Sequence, residues 1–425
     1  LPYEPSTLRK NHGFLCRKAL FTHFLTLFDG QFLAIFPILA SRNAKLTIFF
    51  ALRRYIYKVF PKNTPTMKAP ECFCIILAGG AGRRLWPGSR KQQPKQFIDF
   101  LGCGRTLIQQ TFDRFARFVP ADHILVSTYK DYVPLVKEQL PALPVGNILS
   151  EGSQQSTALA AAWATWHVAR LAPGANLIVT PADQIIHDEA RFEEEVKKGL
   201  QYVDGHSEFL VMGIKPTFPD TGYGYIQMGC RVAGGMYRVK SFSEKPETDY
   251  AEAFVESGEF LWNTGLFLWN ERTMWQTLHE RFHAIEVPDR SQGRGAQFTE
   301  EEEAVFINEN FPAELPRSID LCVLERCTNV VVQTCTFGWC DIGNWTDLYQ
   351  AGRKDADSNV VTGEGQAMLS GCRKNIVRLP AGKTAVINGL ENYVVVQDGD
   401  VLLICPNDPA LMRRLVTEAR VQLGE

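Results

Sequence analysis

The chain has 425 residues, of which 45% are hydrophobic and 22% are charged, and its formal net charge is −2 at pH 7. This length and composition can bury a large core, arranged as one large domain and a smaller one. A net charge so close to zero argues against nucleic acid as a partner.

Residues 1–66 differ in texture from the rest of the chain. Apolar runs such as Phe32 to Ala40 are mixed with Lys and Arg, and acidic residues are very few. A membrane-anchoring leader, an added interaction helix and translated sequence upstream of the start are the alternatives. Pro37 interrupts the stretch that comes nearest to membrane length, so we expect no membrane anchor. We favour upstream sequence that is non-native or disordered, with Met67 as the natural start.

A glycine-rich turn follows the first predicted strand, the short apolar segment from Cys72 to Ala78. Its three glycines remove the Cβ atoms that would keep backbone N–H groups away from an anion. They are Gly79, Gly80 and Gly82, and the cations that follow them are Arg84, Arg90 and Lys95. Open α/β sheets bind ligands at such strand ends. The segment predicts a phosphate site without the glycine spacing of a P-loop or a dinucleotide fold, and a plain tight turn is the alternative.

Apolar runs and helical patterns alternate after this turn. Strands are predicted at His123 to Ser127 and Asn176 to Thr180, and helices at Asp131 to Leu140, Thr157 to Leu171 and Glu189 to Tyr202. This alternation predicts an α/β core with a mostly parallel sheet covered by helices on both faces. Asp183 follows the second of these strands, so we expect it at the same sheet edge as the glycine turn, with a helix N-cap as the alternative.

The texture changes again after Ala351. Short Val, Ile and Leu segments recur between Gly and Asn residues at Asn359 to Val361, Asn375 to Val377, Thr384 to Ile387, Tyr393 to Val396 and Val401 to Ile404. Such repeats predict a small β-helix-like domain over residues 352–425, closed by a terminal helix from Pro409 to Leu423.

Further sequence blocks carry a family resemblance. They are Pro181 to Asp183, Met212 to Ile214, Thr221 to Ile226, Phe242 to Pro246, Trp262 to Gly265 and Gly338 to Trp345. Together with the stretch from Gly79 to Phe97, these blocks resemble the sugar-1-phosphate nucleotidyltransferases. The Leu-Trp-Pro-x-Ser-Arg centre of that stretch and its Pro-Lys-Gln-Phe end are similar to the mannose-1-phosphate guanylyltransferase branch. The resemblance runs from about residue 70 to the end of the chain.

This resemblance implies a fold, a reaction and a cofactor. The fold is a Rossmann-like nucleotidyltransferase core over residues 67–351, followed by the small β-helix-like domain. The reaction transfers GMP from GTP to α-D-mannose 1-phosphate and yields GDP-mannose and diphosphate, with Mg²⁺ as cofactor. The resemblance also implies a homodimer. Another sugar 1-phosphate, another nucleotide, or a non-catalytic regulatory subunit of the same fold are the alternatives.

In such a transfer the sugar phosphate is itself the nucleophile, so the protein must align two polyanions and neutralise their charge. Arg84 and Lys95 are the predicted catalytic residues, because a guanidinium clamps two phosphate oxygens and an ammonium is a mobile point charge. Asp183 and Asp341 are the predicted ligands of one Mg²⁺, since hard divalent cations choose carboxylate oxygens. Helix capping or a structural hydrogen bond is the alternative for each acid.

The other site residues are assigned from the resemblance. The nucleotide would contact Leu77, Ala78, Gly79, Gly80, Gly82, Arg84, Glu151, Thr157 and Asp183. The sugar phosphate would contact Gly224, Glu244, Lys245 and Asn263, for which strand-end turns and surface ion pairs are the alternatives. One block departs from the family pattern, because Gly152, Gln155 and Ser156 stand where Pro, Arg and Asn are common. This departure leaves the nucleotide preference open.

The chain has eleven cysteines and no Cys-x-x-Cys motif. We therefore expect neither a zinc site nor a disulfide framework, and reduced thiols indicate a cytoplasmic location. Cys340 stands beside Asp341, where we expect a buried and inert thiol.

Overall fold

The computed structural model describes residues 71–152, 156–281 and 318–424. The predictions for residues 1–66 and for Gln155 lie outside the described residues. None of the described helices is both long enough and apolar enough to cross a membrane.

A sheet of nine strands forms the centre of the described chain. The first strands along the chain are β1 (Cys72–Leu77), β2 (Ile124–Tyr129), β3 (Ile148–Glu151), β4 (Asn176–Pro181), β5 (Gln184–Ile186), β6 (Phe209–Ile214), β7 (Gly224–Ala233), β8 (Met236–Ser243), β9 (Phe260–Asn270), β10 (Val330–Cys335) and β11 (Trp339–Asp341). The sheet has the order β3-β2-β1-β4-β9-β6-β10-β8-β7, and β5 and β11 form a separate antiparallel pair.

Helices connect and cover these strands. They are α1 (Leu107–Ala116), α2 (Val133–Gln139), α3 (Thr157–Leu171), α4 (Glu189–Asp204), α5 (Thr248–Ser257), α6 (Glu271–Arg281), α7 (Ile319–Cys322), α8 (Trp345–Ala351) and α9 (Pro409–Leu423). The predicted bounds of α3 and α9 are confirmed, and α3 is rich in alanine, the strongest helix former. The helix predicted from Asp131 begins later, because Lys130–Tyr132 form a 3-10 turn.

The sheet is mixed, which corrects the prediction of a mostly parallel sheet. Parallel pairs join β3, β2, β1 and β4, and also β6 with β10. Antiparallel pairs join β9 to β4, β6 and β7, and join β8 to β7 and β10. Gly234 and Gly235 alone separate β7 from β8, and so short a connection permits an antiparallel hairpin but not a parallel crossover.

Both faces of the sheet are buried. Along β1, Cys74 and Ile76 belong to a hydrophobic cluster that includes residues of α1 and α4. Phe73 and Ile75 belong to a second cluster, which includes residues of α3 and α6. Successive side chains of a strand point to opposite faces, so burial on both faces explains the unbroken apolar run of this strand.

The strands of the C-terminal segment stack mainly in parallel. They are β12 (Val360–Gly363), β13 (Gln366–Ser370), β14 (Ile376–Leu379), β15 (Thr384–Asn388), β16 (Tyr393–Asp398) and β17 (Val401–Pro406). One parallel stack contains β12, β14 and β16, and β13 pairs in parallel with β15. The antiparallel β17 closes the first stack. This stacking agrees with the sequence repeats, and the assignment as a β-helix stays a prediction.

A third hydrophobic cluster joins the segment after the glycine turn to the C-terminal strands. Leu85 lies in this cluster with Trp345 of α8 and with Val360 and Ile376 of the parallel stack. The Trp345 side chain is fully buried, and its indole Nε1 donates to the backbone carbonyl of Trp86 over 3.1 Å. The C-terminal strands and α8 therefore support the segment that carries the glycine turn.

We predict that Trp345→Ala lowers the free energy of unfolding by about 3–5 kcal/mol, because it leaves a cavity in this cluster and removes the indole donor. Urea unfolding followed by circular dichroism measures the change. Val421→Ala is the control, since Val421 is 78% exposed and its truncation should change the free energy by less than about 0.5 kcal/mol. Equal midpoints for the two variants would contradict the prediction.

Candidate active site

Most of the predicted site residues line one cleft of about 570 Å³. They are Leu77, Gly80, Gly82, Arg84, Lys95, Thr157, Asp183, Gly224, Glu244, Lys245, Asn263 and Asp341. The glycine turn after β1 provides one side of the cleft, and the ends of β4 and β11 contribute the two acids. Strands β7 to β9 and their flanking residues provide the other side. The fold thus brings together residues that are far apart in the sequence.

The glycine turn is held by buried polar contacts. Gly82 has φ of +61°, and a Cβ atom there would lie 2.5 Å from Ser89 Oγ, so only glycine fits this position. The buried Gln96 side chain donates from Nε2 to the carbonyl oxygens of Ala78 and Gly80, over 2.8 and 2.9 Å. Two carbonyl oxygens that would repel a phosphate are therefore bound to Gln96. The sequence motif contained Gln96 but gave it no function.

Lys95 lies at the centre of the cleft between the two predicted metal ligands. Its Nζ is 2.6 Å from Asp183 Oδ2 and 4.0 Å from Asp341 Oδ1, and it donates to the carbonyl of Ile342 over 2.7 Å. Burial lowers the pKa of Lys95, but the two acids outweigh burial and leave the pKa above its ordinary value. Lys95 is therefore a protonated, positively charged group held against both carboxylates.

A short antiparallel pairing brings the two acids together. Asp341, the last residue of β11, pairs with Gln184 of β5, and the backbone N–H of Ile342 donates to the Asp183 carbonyl over 3.2 Å. Burial raises the pKa of Asp341 to about 6, against the effect of Lys95 and reinforced by Asp183. Two carboxylates around one cation-binding point fit a divalent ion that takes its other ligands from phosphates. No cluster of three or more acidic, His or Cys ligands occurs among the described residues.

Asp347 fixes the loop that carries Asp341. Its Oδ2 accepts from the backbone N–H groups of Gly343 and Asn344, over 2.9 Å each, at the start of α8. Burial is the main cause that raises the pKa of Asp347 to about 7, and the nearby Asp341 adds to it. The sequence motif included none of this, although an acid three residues after Asn344 is a capping-box pattern.

The sugar end of the cleft contains an acid that sequence reasoning missed. Asn263 Nδ2 donates to Asp320 Oδ1 over 2.7 Å, and burial raises the pKa of Asp320 to about 6. A Cβ atom on Gly224 would lie 2.9 Å from Glu244 Oε2, so the missing side chain leaves room beside that carboxylate. Asp320 belongs to the first turn of α7, after the Ser318 N-cap, and that cap was the only signal of a helix start there.

Thr157 connects the nucleotide side of the cleft to this sugar end. Its Oγ1 accepts from the backbone N–H of Ile319 over 3.0 Å, at the residue before Asp320. Thr157 is the first residue of α3, which was predicted to face the nucleotide. One hydroxyl therefore holds the start of α7 against the start of α3.

Three predicted nucleotide contacts do not line the cleft: Ala78, Gly79 and Glu151. Glu151 is buried beneath the turn, where its Oε1 accepts from Ser127 Oγ over 2.7 Å. A Cβ atom on Gly79 would lie 4.0 Å from the same Oε1. The structure therefore places Glu151 as a support of the turn. Its assignment as a nucleotide contact stays a prediction.

The thiol beside Asp341 is buried, as expected. Cys340 is 8% exposed, and burial raises the pKa of its thiol to about 12, so the thiolate nucleophile is absent near neutral pH. Every cysteine in the described ranges is free of a disulfide.

Comparison with known proteins gives the following matches. Residues 73–358 match the family model described as nucleotidyl transferase. The mannose-1-phosphate guanylyltransferase RfbM of Salmonella typhimurium is 31% identical over 79% of this chain and 69% of that protein. The alginate biosynthesis protein AlgA of Pseudomonas putida is 34% identical over 79% of this chain and 68% of that protein. A solved structure described as mannose-1-phosphate geranyltransferase, from Thermus thermophilus, superposes with a TM-score of 0.72 at 28% identity, over 84% of this chain and 100% of that one.

We predict that Asp347→Asn changes how stability depends on pH. The pKa of Asp347 is about 7 in the folded chain and near 3.8 otherwise, so between about pH 4 and 7 only the folded state keeps the proton. This carboxyl therefore lowers the free energy of unfolding as pH rises through that range, by up to about 1.4 kcal/mol per pH unit. Urea unfolding at several pH values, without divalent cations, should show the wild-type advantage over Asp347→Asn shrinking from pH 4 to 7. A pH-independent difference would refute the assignment.

Proposed function

The chain belongs to the nucleotidyl transferase family, and on this basis we propose that it transfers GMP from GTP to α-D-mannose 1-phosphate, forming GDP-mannose and diphosphate. The carrying observation is that Lys95, Asp183 and Asp341 converge in one cleft that Arg84 also lines. A relative named as a mannose-1-phosphate guanylyltransferase supports the choice of substrates.

The chemistry requires alignment and charge neutralisation rather than a protein nucleophile. The phosphate oxygen of the sugar 1-phosphate attacks the α-phosphorus of GTP, and diphosphate leaves in line. Lys95 is buried and protonated, so it neutralises charge on the non-bridging oxygens without solvent reorganisation. Arg84 provides a planar fork of donors for two phosphate oxygens on the opposite side of the glycine turn's backbone.

We assign Asp183 and Asp341 as ligands of one Mg²⁺. Their carboxylates lie on either side of the Lys95 ammonium, and this donor set fits a hard divalent cation. When bound, Mg²⁺ would stabilise the charge that develops on the phosphate oxygens. Asp347 keeps the Asp341 loop in place through two backbone N–H groups, and this contact fixes the spacing of the two acids.

The sugar end offers donors and acceptors that suit a hexose. Glu244, Asn263 and Asp320 supply acceptor oxygens for hydroxyl groups, and Lys245, paired with Glu244, supplies a cation for the sugar phosphate. We propose contacts of the hexose with these residues, beside Gly224. The free thiols of the described cysteines support the cytoplasmic location expected from the sequence.

We further propose that the protein is a homodimer. Met368 and Val386 are register partners in β13 and β15, and they are 65% and 75% exposed. Leu402 and Ile404 of β17 are also more than half exposed. Such exposed apolar side chains on the C-terminal strands support burial against a second copy of the chain.

The substrate proposal predicts diphosphate release with GTP and mannose 1-phosphate in the presence of Mg²⁺, and none after removal of divalent cations with EDTA. A coupled diphosphate assay across ATP, GTP, CTP and UTP with several hexose 1-phosphates measures this. Activity with UTP alone would contradict the choice of guanine. Absence of activity with every pair would favour a non-catalytic regulatory subunit.

We predict that Asp183→Asn and Asp341→Asn each lower kcat on the order of 10²–10³-fold or more, because each removes a charge that holds the cation. Steady-state kinetics at saturating substrates measures the loss, and thermal unfolding verifies that the variants fold. Asp249→Asn is the matched control, since Asp249 lies exposed on α5 outside the cleft. Near-normal turnover of either cleft variant would remove it from the metal site.

A further inference from the structure

A second cavity, of about 580 Å³, lies beside the glycine turn, and we call it the cationic cavity. Its polar lining includes Arg83, Ser89, Arg90, Lys91, Tyr129 and Arg420. No carboxylate is among the described residues that line it. An enclosed space with four cations and no acid carries a positive potential that attracts a polyanion.

Three of these cations have no protein counter-ion within the described ranges. Arg90 is paired with Asp398, with Nε 3.2 Å from Oδ2. Arg83, Lys91 and Arg420 make no ion pair with any described carboxylate. Like charges that converge without acids repel one another, so a bound anion would relieve the repulsion. The charge arrangement therefore points to a ligand rather than to an internal salt-bridge network.

An unpartnered hydroxyl adds a second indication. Ser89 is 1% exposed, and its Oγ finds no hydrogen-bond partner among the described residues. Ser89 lines the cationic cavity, and buried hydroxyl groups are normally hydrogen-bonded. A phosphate oxygen in the cavity would accept the bond that this hydroxyl lacks.

The position of the cationic cavity relates it to the transfer reaction. Ala81 and Arg83 line both this cavity and the cleft, so the two spaces meet at the glycine turn. Neither the sugar-end residues Glu244 and Asn263 nor the acid pair line it. In an in-line displacement the leaving group departs on the side away from the attacking oxygen. The side of the cleft away from the hexose is the side of the glycine turn.

We propose that the cationic cavity binds the β- and γ-phosphates of the nucleotide and then the diphosphate that they become. This inference rests on the proposed function, because it assigns the leaving-group end of the same reaction. Arg420 reaches the cavity from α9, so the last helix of the chain takes part in recognising the leaving group. Lys91 and Arg420 line the cavity and not the cleft, which allows its charge to be changed separately.

The test compares the full-length wild type with the double variant Lys91→Gln/Arg420→Gln by isothermal titration calorimetry. Inorganic diphosphate, GTP and GMP are titrated separately, without a sugar phosphate. We expect the Kd of diphosphate and of GTP to rise about tenfold or more, because two charge-assisted contacts are lost. We expect the Kd of GMP, which lacks both distal phosphates, to change by less than about twofold.

The matched control is Lys137→Gln/Arg413→Gln. It removes the same charge from exposed positions on α2 and α9 that line neither space, and it should leave all three Kd values unchanged. Equal weakening by the control would show a general effect of net charge and overturn the proposal. Unchanged binding of diphosphate by the cavity variant, or weakening of GMP to the same extent, would overturn it as well. Thermal unfolding of each variant verifies folding.

Binding is measured without turnover, so this outcome is separate from that of the proposed function. A wild type that turns over GTP while the cavity variant keeps its diphosphate affinity refutes the cavity alone. A wild type that binds diphosphate through the cavity but turns over no nucleotide refutes the proposed function and leaves the polyphosphate site in place. In the reverse reaction, the cavity variant should raise the KM for diphosphate about tenfold and leave the KM for the sugar nucleotide within about twofold.

Discussion

The contact between one buried ammonium and two carboxylates is the constraint on which the cleft depends. Lys95 lies 2.6 Å from Asp183 and 4.0 Å from Asp341, although the three residues come from separate parts of the chain. The short pairing of β5 with β11 is what brings the acids together. A site for polyanions must hold positive and negative groups at close range, and burial strengthens every such interaction. The surrounding sheet and loops fix the geometry of that charge set.

The C-terminal strands contribute to this geometry from outside the nine-stranded sheet. Trp345 begins α8 directly after the Asp341 loop, and it packs in the cluster that contains Leu85 and the parallel stack. Its indole also binds the carbonyl of Trp86. The segment after the glycine turn and the loop after β11 therefore share one hydrophobic support. A tail that looked from its sequence like an appended domain packs directly against the catalytic cleft's scaffold.

Local patterns in the sequence sufficed for some elements and not for others. The bounds of α3 and α9 were predictable because alanine content and helix periodicity are local properties. Strand direction was not, since the pairings of β9 depend on which strands the fold places beside it. The motifs located Lys95 and both cleft acids. Asp320 and the cationic cavity were out of reach, because they exist only once distant segments pack together.

The hydroxyl of Thr157 has a consequence for protein engineering. It anchors the backbone of Ile319, so the helix start expected at the nucleotide and the turn that presents Asp320 to the hexose move as one body. A redesign that altered base selectivity at the start of α3 would also disturb hexose selectivity. The two specificities of this fold are thus mechanically linked, and grafting one without the other from a relative would transplant only half of a coupled unit.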